Sequence, residues 1–391
     1  MKYNILELIK SNDNVVKKDT AYVWLLMLND NYLPGIFTSV WSLSRTKTNS
    51  NTVVMVTEGV SDDSINILKK VTDYIVKVEY IEYQTVPFKN KRQKELYDSW
   101  INKSFTKWQC LRLPFKKIIF LDGDTVVLDN IDHLYKLNAP GGVFTAYSLK
   151  PVGKVNNAYV EFYKRFNKTM IGTDGYLKHN TYLSNNLIKE LFRVASVPTV
   201  VASCILLKPS IIDFKKFIEM LSTNSFVNKN TIMSGSDEQS IAYYYSVYEN
   251  GPKVGWTLIH HIYNATGFWL KDYFKGNVIR ILHYFSDSKP WLLPVDGTKT
   301  YKNNENKIVT EKFKDVVLWW SLFIDGLSKN KLINKLNLFN QYYGDNYKLL
   351  KNIVMEDKQE FLKENFIDKL NDKSIKTVLD LVGKLNNSKI Q

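Results

Sequence analysis

Two hydrophobic rhythms alternate through the first third of the chain. Residues 21–28 form a continuous apolar run, the pattern of a strand buried on both faces. Residues 34–43 then carry apolar side chains at Ile36, Phe37, Val40 and Leu43, a helical spacing opened by Pro34. Residues 52–56 predict a second strand. Ser61 can cap a helix reaching about residue 71, with Ile65 and Leu68 facing inward. Residues 74–81 predict a third strand and residues 118–121 a fourth. Strand and helix in alternation predict an α/β fold with a largely parallel sheet covered by helices.

The pattern loosens further on. Residues 150–186 are polar and aromatic and predict a helix with long loops. Residues 199–207 form another buried strand, ended by Pro209 and followed by a helix to about residue 221. Residues 237–248 read as a helix whose Tyr243, Tyr244, Tyr245 and Tyr248 serve packing. Residues 279–284 predict a last short strand. After Pro294, lysine, asparagine, leucine and isoleucine dominate, with helical spacing at Leu349, Leu350, Ile353 and Phe361. The expected organisation is an N-terminal extension over 1–20, one α/β domain over 21–294, and a helical C-terminal appendage over 295–391.

Composition narrows the classes. A chain of 391 residues that is 45% hydrophobic can bury one large core. Its two cysteines, Cys110 and Cys204, sit in apolar segments, so they read as core thiols and not as a disulfide framework. That suits a reducing compartment, and a cytoplasmic location is expected. Residues 1–20 show no apolar signal-peptide core, and no apolar run approaches the roughly 18 residues of a membrane span. Asn102, Asn167 and Asn264 each begin a glycosylation sequon, expected to be idle without a secretory signal. The net charge of +14 favours anionic partners. Its lysines are scattered among asparagines as on a solvated surface, and no nucleic-acid-binding signature is present, so no nucleic-acid partner is expected.

The chemistry concentrates where a strand ends. The run Ile118-Ile119-Phe120-Leu121 is followed at once by Asp122-Gly123-Asp124. Residues i and i+2 at a strand end point the same way, so both aspartates can converge on one hard divalent cation, with Gly123 letting a ligand approach the backbone. Asp-Gly-Asp also occurs in ordinary turns. A second cluster, His283 followed by Lys289-Pro290-Trp291, adds a strand-end histidine and a lysine. Two carboxylates and an imidazole make an N/O ligand set for manganese or magnesium, and a lysine can neutralise phosphate oxygens.

At this spacing His283, Lys289, Pro290 and Trp291 resemble the closing motif of glycosyltransferase family 8, the glycogenin-like enzymes, and Asp122 and Asp124 its DxD motif. The likeness extends to other points in family order: Ala21-Tyr22-Val23 with Asn29, Asp30 and Tyr32; Phe105-Thr106-Lys107; Asn130-Ile131-Asp132 with Leu134; and Asp237-Glu238. The resemblance implies a Rossmann-like GT-A fold with a mixed, mainly parallel sheet over 21–294. It implies a retaining, metal-dependent transferase that moves a hexose from a UDP-sugar to an acceptor glycan or protein. Asp122, Asp124 and His283 would hold Mn2+ or Mg2+ against the diphosphate. Lys289 would stabilise the leaving diphosphate, and Lys107 would lie beside it or the donor sugar. Tyr32 would stack on the base in a loop shaped by Asn29 and Asp30. Asp237 would face the donor sugar or the acceptor.

The chain departs from the family pattern at two places. Where the family has Asn-Ser/Ala-Gly on the strand that meets the sugar, this chain has Ala202-Ser203-Cys204, and Ser203 is left to keep part of that role. Tyr263 lies in the region of the glycogenin self-modified tyrosine, but the segment to His283 is about three residues longer, so an external acceptor is expected. Two other classes compete. The stretch 120–126 also fits the opening motif of haloacid-dehalogenase-like phosphatases, with Asp122 as nucleophile and Asp124 as general acid. That alternative leaves His283 and Lys289 without a task. A catalytically degenerate binder of nucleotide-sugars is the other. A homodimer is left open.

Overall fold

The computed structural model describes residues 3–335, apart from 86–90, 145–169, 171, 173–176, 195–199, 224–235, 267–278, 286–288, 295–297, 303–306 and 333–334. The helix expected within 150–186 and the helical spacing at 349–361 therefore fall largely or wholly outside the described residues.

A nine-stranded mixed sheet forms the frame. In chain order its strands are β1 (Ile9–Lys10), β2 (Thr20–Leu26), β3 (Asn51–Val56), β4 (Tyr74–Lys77), β5 (Lys117–Leu121), β7 (Gly141–Val143), β8 (Tyr182–Leu183), β9 (Val201–Leu207) and β10 (Trp256–Leu258). The spatial order is β1-β4-β3-β2-β5-β9-β7-β10-β8. The half β4-β3-β2-β5 is parallel, as the alternation predicts. β9 then runs antiparallel to both β5 and β7, so the sheet is mixed, as expected. A buried apolar run does not carry strand direction, because both kinds of neighbour bury both faces.

Alternate residues of the central strands feed two cores. On β2, Tyr22, Trp24 and Leu26 point into one and Ala21 and Val23 into the other; on β5, Ile119 and Leu121 oppose Ile118 and Phe120. The first core lies under α1 (Leu33–Ser44), with Pro34 in its first turn, and α2 (Asp62–Leu68), capped by Ser61 as predicted. The second lies under a 3₁₀ run, Ile101–Arg112, and receives side chains from three further helices. α3 (Lys91–Tyr97) precedes that run. Past β8 come α4 (Asn185–Val194), α5 (Ile211–Ser222) and α6 (Asp237–Ser246).

The ends of the described chain join this body. Residues of the N-terminal extension supply β1, which pairs antiparallel with β4, and bury Leu6 and Val15 in the second core. The C-terminal region expected to be helical opens with an antiparallel strand pair, β13 (Thr298–Lys302) and β14 (Ile308–Lys312), before its helix α7 (Lys314–Lys329). α7 packs on α1: Trp319, Trp320, Phe323 and Leu327 are fully or almost fully buried in the first core. Both cysteines are free and buried. Among the described residues no helix is long and apolar enough to cross a membrane.

A small second sheet positions the chemistry. β6 (Thr125–Val127) follows the Asp122-Gly123-Asp124 turn and pairs antiparallel with β12 (Ile281–His283), which pairs in parallel with β11 (Ala265–Thr266). His283 stands opposite Thr125, and the Tyr284 N–H donates to the carbonyl of Asp124 at 2.9 Å. The sheet thus carries a histidine 159 positions beyond Asp124 to its side.

Candidate functional site

β5 delivers Asp122 to the carboxyl end of the parallel half-sheet, where open α/β sheets bind ligands. The turn after it is tied down from below. The Thr125 N–H and hydroxyl both donate to the Asp122 carbonyl, at 3.2 and 2.7 Å. Thr125 Oγ1 lies 3.0 Å from Ser39 Oγ on α1, which accepts from Trp24 Nε1 at 2.8 Å, and Ser42 of α1 accepts the Val127 N–H. A buried serine stripe on a mainly apolar helix therefore clamps the turn to the core. Gly35, also on α1, closes against the Gly123 carbonyl and the Trp291 ring.

Asp122, Asp124 and His283 converge: one ligand atom from each lies within 4.8 Å of the other two. They form the one such group among the described residues. His283 Nε2 is 3.3 Å from Asp124 Oδ1. Asp124 is buried at 7% exposure, and an isolated carboxylate there would be held neutral. Burial does push its pKa up, but the Lys289 ammonium, whose Nζ donates to Oδ2 at 2.5 Å, opposes that, and the group lies well below the usual carboxylate range. Two oxygens and a ring nitrogen of this kind suit a hard or borderline divalent cation, so the donor set fits manganese or magnesium.

Two lysines flank the cluster. Lys107, on the 3₁₀ run, reaches Asp122 Oδ1 at 2.9 Å and pairs with Asp237 Oδ2 at 3.1 Å. Burial would lower its pKa, but Asp122, Asp237 and Glu238 more than offset that and raise it above the ordinary lysine value. Lys289 behaves alike: burial opposes its charge, and Asp124 restores it and raises the pKa. Asp237 stands in the first turn of α6, capped by Ser236. Its neighbour Glu238 has a pKa pushed up to about 8, first by burial and then by Asp237, and its Oε1 accepts the Ala202 N–H at 2.8 Å.

Asn29, Asp30 and Tyr32 form the rim. Asn29 accepts the Asn31 N–H, and Asp30 accepts the Ser61 N–H, so the two shape the loop between β2 and α1. Tyr32 is 40% exposed, edge-on to Trp291 with ring centres 5.2 Å apart, and Lys289 lies 6.0 Å from its ring centre. Partial desolvation of the hydroxyl, and then Asp124, raise its pKa to about 12.

Ser203 is the expected site residue that lies elsewhere. It is fully buried on β9 and donates its hydroxyl to Asn264 Oδ1 at 2.6 Å, so it stands behind the cluster and not on a surface open to a sugar. Asn264 also meets His283 Nδ1 at 2.7 Å. Sequence reasoning took Asn264 for an idle sequon; its place beside Tyr263 gave no hint of this contact, which follows only from the pairing of β11 with β12. Asp132 accepts from Tyr22, Thr48 and the Asn49 N–H, a staple between strands and not a site group. Tyr263 is buried, with its hydroxyl 2.6 Å from His133 Nε2 and its ring stacked on His179.

Comparison with known proteins agrees with this frame. Residues 24–184 match the family model described as Glycosyl transferase family 8. An uncharacterized protein, R707, of Acanthamoeba polyphaga mimivirus is 24% identical over 308 residues, 78% of this chain and 93% of that protein. Human Glycogenin-1 is 32% identical over 119 residues, 30% of this chain and 32% of that protein, so the alignment spans about a third of the glycogenin length. The apo-form glycosyltransferase GlyE of Streptococcus pneumoniae TIGR4 is 13% identical, with 84% of this chain and 65% of that one covered at a TM-score of 0.42. The matched region includes Asp122, Asp124 and Lys107 and stops short of His283 and Lys289. Through residues 24–184 the chain is similar to glycosyl transferase family 8.

Proposed function

We propose that the chain is a retaining, metal-dependent transferase that moves a hexose from a UDP-sugar to an acceptor glycan or protein. The observation that carries this reading is the convergence of Asp122, Asp124 and His283 between two half-buried lysines. A cation held there would supply Lewis-acid relief of the charge that develops on the diphosphate as the glycosidic bond breaks. Lys289 lies on the carboxylate of Asp124, positioned to take over phosphate oxygens as a point charge. Lys107 does the same from the opposite side and keeps Asp237 ionically tied. Tyr32 offers the base a partly exposed ring at the rim, backed by Trp291. Asp237 and Glu238 close the floor toward the donor sugar, with Glu238 bound to the backbone of Ala202, where the family asparagine is missing. The engaged hydroxyl and burial of Tyr263 favour an external acceptor over self-modification.

The test is UDP release from a panel of UDP-sugars, with Mn2+ and with a chelator. Metal-dependent release from one donor is the expected result. Asp122→Ala and His283→Ala should abolish it while circular dichroism stays unchanged. Full activity in either variant overturns the site assignment. Phosphate release from a phosphomonoester would move the chain to the phosphatase class.

A further inference from the structure

We infer that Asn264 is a positioning residue of the metal centre: its side-chain carbonyl, held by Ser203, takes the Nδ1–H of His283 and so turns the bare Nε2 toward the cation. The inference rests on the proposed cation site, but its first measurement does not need a cation.

The geometry is a chain of three buried or half-buried side chains. Ser203 Oγ donates to Asn264 Oδ1 at 2.6 Å, and the same oxygen lies 2.7 Å from His283 Nδ1. On the far side of the ring, Nε2 faces Asp124 Oδ1 at 3.3 Å. A carbonyl oxygen only accepts, so the ring nitrogen that meets it carries the proton, and in the neutral imidazole the other nitrogen is left with its lone pair. That lone pair faces a carboxylate oxygen at 3.3 Å, and a cation ligated by both atoms would relieve their repulsion. Ligating histidines elsewhere fix their tautomer in this way, by giving the second N–H to a carbonyl. The backbone supports the arrangement. Asn264 precedes β11, whose Thr266 is in register with His283, and its own N–H is bound to the His261 carbonyl at 2.8 Å. Ser203 adds a fixed donor from the main sheet, so the amide spans both sheets and cannot rotate without losing two hydrogen bonds.

The arrangement also gives Ser203 a task. The residue sits where the family strand meets the sugar, yet its hydroxyl points to Asn264. It acts on the cation site through the amide.

The experiment uses full-length protein with 15N-labelled histidine, in mildly alkaline buffer without metal. The chain has five histidines, and a His283→Gln variant assigns the resonance of interest. The expected spectrum shows His283 protonated at Nδ1 in the wild type and in Asn264→Asp, which keeps an accepting oxygen, and a changed tautomer population in Asn264→Ala. Calorimetric titration with Mn2+ should then show a loss of roughly 10–100-fold in affinity for Asn264→Ala, a smaller loss for Ser203→Ala, and little loss for Asn264→Asp. A wild-type His283 protonated at Nε2 overturns the inference, as does an Asn264→Ala protein that keeps both tautomer and affinity. If the tautomer depends on Asn264 but no variant binds Mn2+ or Mg2+, the ring contact stands and the cation reading of the site falls.

Discussion

A single methyl group at Gly35 tests whether the turn, the rim and the C-terminal helix are mechanically one piece. A Cβ there would lie 2.6 Å from the Gly123 carbonyl oxygen and 2.6 Å from the Trp291 ring. Ordinary contact between carbon atoms begins at roughly 3.5 Å, so a neighbour must retreat by roughly 0.9 Å. Neither neighbour is soft. The carbonyl belongs to the turn that carries both aspartates, and Trp291 is packed against Trp319 with ring centres 5.5 Å apart. Helix propensity pulls the other way, since replacing glycine with alanine inside a helix gains about 0.5–1 kcal/mol. Overpacking costs about 1–3 kcal/mol, so Gly35→Ala should be destabilised by about 1–2 kcal/mol and remain folded. Its larger effect should be on rate. A displacement near 1 Å at a positioned group costs roughly 10²-fold, and kcat/KM for metal-dependent UDP release should fall by about that factor. A Gly35→Ala protein with wild-type rate and a higher melting temperature would refute this reasoning, because propensity alone would then account for the change.

Trp319→Ala should cost about 3–5 kcal/mol in urea unfolding, since the ring is fully buried and stacked on Phe323; a loss below about 1 kcal/mol would show that α7 is not part of the core. Glu238→Gln should flatten the dependence of stability on pH. With a folded pKa raised from 4.5 to about 8, the folded chain keeps a proton that the unfolded chain gives up, so wild-type stability should fall as pH rises through that window. Glutamine keeps the acceptor for the Ala202 N–H without the titration, and parallel melting curves for the two proteins from pH 5 to about 8 would refute the assignment.

The parallel half-sheet was open to reading because its strands are apolar over most of their length and its helices carry their own punctuation, Pro34 and Ser61. Strand ends were less readable: residues 78–81 read as strand, yet β4 stops at Lys77, where the side chain reaches solvent. β6 and β11 are three and two residues long, too short for any periodicity, although they decide where His283 stands. Of the site, Asp122, Asp124, His283, Lys107, Lys289 and Asp237 come together in space. Their residue types announce charge chemistry. Asn264, Ser39 and Thr125 work through neutral hydrogen bonds that many asparagines and serines could make, so sequence offers nothing to single them out. Glu238 was visible as part of a pair, but its proton depends on burial, which only packing reveals.

The pairing of β6 with β12 has a consequence for the birth of the protein. Chains emerge from the ribosome N-terminus first, and contacts between distant residues form late because they wait for the intervening loop to close. The parallel half-sheet and both aspartates are complete once residue 124 is out, but the histidine and Lys289 arrive some 160 residues afterwards. A nascent chain therefore presents its nucleotide-side strands long before it can grip a cation. In vitro translation products stopped before residue 281 should be inert toward UDP-sugar, and competence should switch on abruptly as β12 docks, so that ligand capture reports completion of the fold.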